Sequence, residues 1–156
     1  MALQCRCPCD ELRCGDPSRF AAASEAEQIM LVAEIGCVAL ALGGRYSARQ
    51  TRLLAASLRM LPGMSQLSDS GVDVLLGRAA EHSANGTAWL CETIHRIRSA
   101  PLRRLAFRLA ALLCSTEGVP GAAQQEYLLA LACGFGFSDV QTRELLARAA
   151  GWQVTV

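Results

Sequence analysis

The sequence predicts an all-α fold of about seven helices arranged as two pseudo-repeated halves. Three observations carry that expectation. Apolar residues recur at three- and four-residue spacing in one segment after another, and no run alternates as a half-buried strand would. A glycine-centred turn also occurs twice, as Leu42-Gly43-Gly44-Arg45-Tyr46-Ser47-Ala48-Arg49-Gln50 and as Thr116-Glu117-Gly118-Val119-Pro120-Gly121-Ala122-Ala123-Gln124. Gly44 matches Gly118, Gln50 matches Gln124, Leu54 matches Leu128 and Leu31 matches Leu105, all at one offset, 118 − 44 = 74. A duplicated helix-turn-helix unit accounts for the spacing.

Taken in order, residues 1–21 lack periodicity, hold Pro8, Gly15 and Pro17, and read as an irregular cysteine-bearing arm. The remainder, 22–156, reads as one helical domain. Ser24-Glu25-Ala26-Glu27 forms a capping box, in which hydroxyl and carboxylate satisfy each other's orphan amides. Leu31, Ile35, Val38 and Leu42 follow at helical spacing up to Gly43-Gly44. Ser47 to Gln50 is a second capping box, opening a helix with Leu53, Leu54, Leu58 and Leu61 that stops at Pro62-Gly63. Ser70 and Asp73 offer a third start before Val74, Leu75 and Ala79, with Asn85-Gly86 as the stop. A short fourth helix carries Leu90, Ile94 and Ile97. Pro101 fits the first turn of the fifth, where its missing amide would be unpaired anyway. The apolar face of that helix is Leu102, Leu105, Leu109, Leu112 and Leu113. Pro120 opens the sixth, with Tyr127, Leu128 and Leu131. Ser138 and Gln141 cap the seventh, which bears Leu145, Leu146 and Ala149 and ends at Gly151.

With 52% hydrophobic against 19% charged residues, the chain has apolar surface to spare for a partner. A net charge of +1 gives no general attraction to nucleic acid or anionic membrane. All 15 basic residues are arginine, which reads as GC-rich coding rather than a demand for guanidinium chemistry. No secretory signal is visible, and the richest apolar run, Ile29 to Leu42, is broken by Glu34 and shorter than the ~20 residues of a membrane span. A cytoplasmic protein without membrane insertion is the expectation.

Eight cysteines then need a reading other than a disulfide framework. Cys37, Cys91, Cys114 and Cys133 sit among apolar neighbours and read as small buried hydrophobes. Cys5, Cys7, Cys9 and Cys14 crowd the arm and could supply thiolates to a soft metal, although their spacing lacks the paired knuckles of a zinc ribbon. Glu92-Thr93-Ile94-His95 has the spacing of a di-iron ligand pair but lacks the second such pair, and reads as a surface pair. Arg96, Arg98, Arg103, Arg104 and Arg108 form the densest basic stretch, without recognition-helix or aromatic features for nucleic acid, and so read as a solvated face or a docking patch for an acidic partner. No nucleophile elbow or phosphate-cradling loop appears.

The duplicated turns resemble those of the TerB-like family, which includes tellurite-resistance TerB and the N-terminal region of some membrane-anchored DnaJ-type co-chaperones. The family's repeated turn reads approximately Asp-Gly-x-Val/Ile-Ser/Thr-x-x-Glu. Gly43 to Gln50 is similar to the first copy and Glu117 to Gln124 to the second, and the likeness extends through Tyr127-Leu128-Leu129 and Gly136-Phe137-Ser138-Asp139 to cover roughly 22–150. It implies an all-helical fold of two pseudo-repeats whose acidic turn positions gather a divalent cation, a ligand that favours several carboxylate oxygens. This chain departs at those positions. Gly43 replaces the first Asp, and Gln50 and Gln124 replace both Glu, leaving Glu117 as the one carboxylate. Gln50 reads instead as a cap and Gln124 as a helix-surface residue.

The resemblance and the poor catalytic groupings together imply a non-enzymatic protein-interaction module in a bacterial stress or resistance system. No cofactor is expected. Glu117, Gln50 and Gln124 are the candidate ion contacts, a protein is the expected partner, and self-association is left open. The alternatives are a metal or oxyanion sensor using the arm cysteines, and a structural subunit of a larger assembly.

Overall fold

In a computed structural model, residues 23–85 and 87–151 are described. The arm with Cys5, Cys7, Cys9 and Cys14 lies outside them. The described residues form seven α-helices and no strand: α1 (Glu25–Ala41), α2 (Ala48–Arg59), α3 (Asp69–Asn85), α4 (Thr87–Arg96), α5 (Ala100–Cys114), α6 (Ala122–Gly134) and α7 (Asp139–Gly151). The all-α expectation therefore holds.

Helix α1 is the axis of the core. From Leu31 to Leu40 every residue is buried, so it is apolar nearly all round and must be enclosed by neighbours rather than lie on a surface. It packs most extensively against α5 and then α3, while α5 packs in turn against α7. At the α1–α5 crossing Gly36 meets Leu109, and an added Cβ would stand 2.7 Å from Leu109 Cδ2. Ala106, Ala110 and Ala111 on the facing helix are also fully buried, and these small residues let the two helices approach closely.

The capping boxes of α1 and α2 form as the sequence predicts: Ser24 and Glu27 exchange backbone hydrogen bonds, as do Ser47 and Gln50. Ser138 and Gln141 do the same at α7. Two boundaries differ from expectation. Helix α3 begins at Asp69, because Ser68 Oγ accepts from Gly71 N and caps the helix ahead of Ser70 and Asp73. Helix α6 begins at Ala122 with Gly121 as its N-cap, so Pro120 precedes the helix rather than opening it.

The duplication is visible in the backbone. Gly44 and Gly118 both adopt the left-handed conformation, with φ of 85° and 107°. Only glycine does so without a side-chain penalty, so each bend depends on that residue. The starts of α1 and α2, at Glu25 and Ala48, recur as the starts of α5 and α6, at Ala100 and Ala122, close to the offset of the two bends.

Candidate functional site

The two glycine turns face each other and are cross-linked by their glutamines. Gln124 Oε1 accepts from Gly121 N at the start of α6, while its Nε2 donates to Ala39 O near the end of α1, at 3.1 Å. Gln50 Oε1 accepts from Ser47 N at the start of α2, and its Nε2 donates to Thr116 Oγ1 at 2.9 Å. Thr116 Oγ1 passes the contact on to Leu113 O. Leu113 is the repeat counterpart of Ala39, just as Gln124 is of Gln50, so each half ties its capping glutamine to the other half's helix end.

Gln124 is thus buried and structural, which corrects its reading as a helix-surface residue; its amide is drawn inward by a carbonyl that the α1 terminus leaves without an intrahelical donor. The structure does bring the three candidate ion contacts into one region. Glu117 accepts from Ser47 Oγ at 3.3 Å, across the same pair of turns. Both glutamine oxygens, however, already take backbone amides, and Glu117 is the one carboxylate of the three. No group of three or more His, Cys, Asp or Glu that could hold a metal occurs among the described residues.

The arginine stretch is dispersed rather than gathered into one patch. Arg96 pairs with Glu27 at 3.6 Å. Arg103 turns inward, its Nε donating to Ile97 O and its guanidinium lying 5.7 Å from the Phe135 ring centroid. Burial, and then neighbouring Arg98, hold that guanidinium below its ordinary range. Arg98 and Arg104 are exposed, while Arg108 is half-buried on another side of α5.

What the sequence reading missed is a groove of about 880 Å³ between α2 and α5. Its apolar wall is Leu53, Ala56, Met60, Leu105, Leu109 and Leu112, and Arg49, Arg52 and Arg108 edge it, with no carboxylate among the described residues of the lining. Met60 is 85% exposed, an unusual setting for so large an apolar side chain. The groove has a cause in the duplication. Tyr127 on α6 reaches across to α1, where its hydroxyl donates to Ile35 O at 3.0 Å. Its counterpart one repeat earlier, on α2, is the shorter Leu53, and Ile35's counterpart Leu109 lines the groove.

A buried carboxylate is paired with an exposed arginine where α3 packs on α1. Glu34 is 4% exposed and meets Arg78 Nη2 at 3.1 Å, with His82 Nε2 at 3.9 Å. The His82 ring stacks on Trp89 of α4, with centroids 4.7 Å apart. The cluster clamps α3 and α4 onto α1. Cys37 and Cys114 are free and buried, as expected, and burial pushes both thiols up to about 12. Cys91 is buried but disulfide-bonded, correcting its reading as a plain core thiol; which sulfurs meet depends on the fold, not on apolar neighbours in sequence.

Glu92 is exposed and His95 half-buried, so no di-iron arrangement forms around them among the described residues. No helix is long and apolar enough among the described residues to cross a membrane. Comparison with protein-family models, curated proteins and solved structures finds no match to this chain.

Proposed function

We propose that this chain is a non-enzymatic protein-interaction module of TerB-like type, working in a bacterial stress or resistance system. The observation that carries the docking role is the α2–α5 groove: an apolar wall with an exposed methionine and an arginine edge is the composition of a partner site rather than of ordinary surface. The duplicated glycine turns support the family reading. Gln50 and Gln124 support a degenerate ion site, since their oxygens are spent on capping their own helices and their Nε2 groups on holding the halves together.

Light scattering coupled to size-exclusion chromatography, on the purified full chain mixed with an extract of its native host, tests the reading. A stoichiometric protein partner that is retained by the chain supports it. A chain that elutes alone from every extract, or that turns over a small molecule unaided, contradicts it.

A further inference from the structure

We infer that the α2–α5 groove receives a helix of a partner protein whose apolar face is flanked by carboxylates. The inference rests on the interaction-module reading and adds the site and the chemistry of the partner.

The molecule's other half indicates the shape of the occupant. Across the repeat, Leu105, Leu109 and Leu112 of the groove correspond to Leu31, Ile35 and Val38, and Leu53 and Met60 correspond to Tyr127 and Gly134. The apolar side chains of α1 and α6 among these, Leu31, Ile35, Val38 and Tyr127, are all buried. Gly134 is met by a helix: a Cβ there would stand 2.5 Å from Ile94 Cδ1 of α4. Helix α4 is held in place at its end by Gln28 of α1, whose Oε1 accepts from Arg98 N and Ser99 N, and by the Arg96–Glu27 pair. Helix α4 thus meets the second half at Gly134, where the first half presents its counterpart Met60 outward. Docking an amphipathic helix there repeats a packing the chain already uses, with anchors at i, i+3, i+4 and i+7 spacing.

Charge sets the partner's polar residues. Arg49 and Arg52 are exposed along the edge, and no acid among the described residues lines the groove. A helix seated along the Arg49 and Arg52 edge is complementary when it brings carboxylates.

The probe is a labelled synthetic peptide of about 18 residues, long enough to hold helix, with leucines at i, i+3, i+4 and i+7 and glutamates elsewhere. One control has lysine for every glutamate and another has the same composition scrambled. Fluorescence anisotropy with the full chain is expected to show saturable binding of the acidic helix and binding weaker by at least about tenfold for both controls. Met60→Glu and Arg52→Glu, at exposed positions, each weaken it by at least about tenfold while far-UV circular dichroism and Tm stay unchanged. Equal binding of the lysine peptide, or indifference to Met60→Glu, overturns the inference. So does a dimer in light scattering that Met60→Glu abolishes, which assigns the groove to a second copy, or competition by a peptide of residues 1–22, which assigns it to the chain's own N-terminal segment. If the acidic peptide fails while a host protein is still retained through another face, the groove assignment falls and the module reading stands. If no host protein is retained, the module reading falls.

Discussion

Gln124 of one half donates to the carbonyl of Ala39 in the other at 3.1 Å, and Gln50 returns the contact through Thr116 to Leu113. These bonds close the molecule across its pseudo-repeat. Gln124→Ala removes both a cap and a cross-link and leaves a buried carbonyl without its amide donor, at an expected cost of about 2 kcal/mol. Gln50→Ala costs less, about 1 kcal/mol, because Thr116 retains its own bond to Leu113. Urea denaturation of the two variants checks the order, and a Gln50 variant less stable than the Gln124 variant would count against it.

The ion-site reading has a direct consequence. With both amide oxygens committed to backbone N–H groups, Tm of the unaltered chain is expected to change little between calcium chelator and millimolar calcium. A rise of many degrees would show a working cation site by mass action.

Gly36, at the α1–α5 crossing, and Gly77, on the exposed face of α3, respond in opposite ways to substitution. Gly36→Leu drives a side chain into Leu109 and is expected to destabilise by about 3 kcal/mol or more. Gly77 lies exposed in α3 with nothing within 4 Å of an added Cβ, so Gly77→Ala is expected to stabilise by up to ~1 kcal/mol through helix propensity alone. Calorimetric Tm values of the two variants should move in opposite directions.

At the Glu34 cluster the cost depends on which charge is left behind. Arg78→Ala strands a carboxylate that is 4% exposed, beside His82, and is expected to cost roughly 2 kcal/mol or more. Glu34→Gln leaves Arg78, whose side chain is 54% exposed, free to turn to water, and costs less. Equal losses in chemical denaturation would show that burial of Glu34 is not what sets the penalty.

Alkaline pH should destabilise the fold. Burial raises the Cys37 and Cys114 thiols from 9.0 to about 12 and raises Tyr127 well above 10.0. The unfolded chain therefore releases these protons first, and stability that is intact below pH 9 is lost progressively between about 9 and 12. Thermal melts at pH 8 and pH 10.5 should show this fall, and Cys37→Ala with Cys114→Ala should flatten part of it while lowering stability at pH 8.

Features of the chain that depend on neighbours three or four residues away were legible in the sequence. The capping boxes at Ser24, Ser47 and Ser138 and the bends at Gly44 and Gly118 are local backbone chemistry, and each forms as read. Gln124 was misread because its second partner, Ala39, belongs to the other half of the chain. Glu34 read as an interruption of an apolar run because Arg78 and His82 belong to another helix. The arginines read as one patch because spacing along α5 does not say that Arg103 folds back onto Ile97 and Phe135. The groove was invisible for a related reason: it arises from a difference between the repeats, Leu53 where the second half has Tyr127, and such a difference matters only once the halves are superimposed.

The central claim is that partners are held at the α2–α5 groove, and photo-crosslinking from defined positions tests it most directly. A photoreactive residue is placed in the full chain at Met60 in the groove or at Val74, an exposed apolar position on α3. In the native host, position 60 is expected to yield a discrete adduct with a helical, acid-flanked segment of one protein, and position 74 none. Adducts from position 74 alone, or the same adducts from both, would contradict the account.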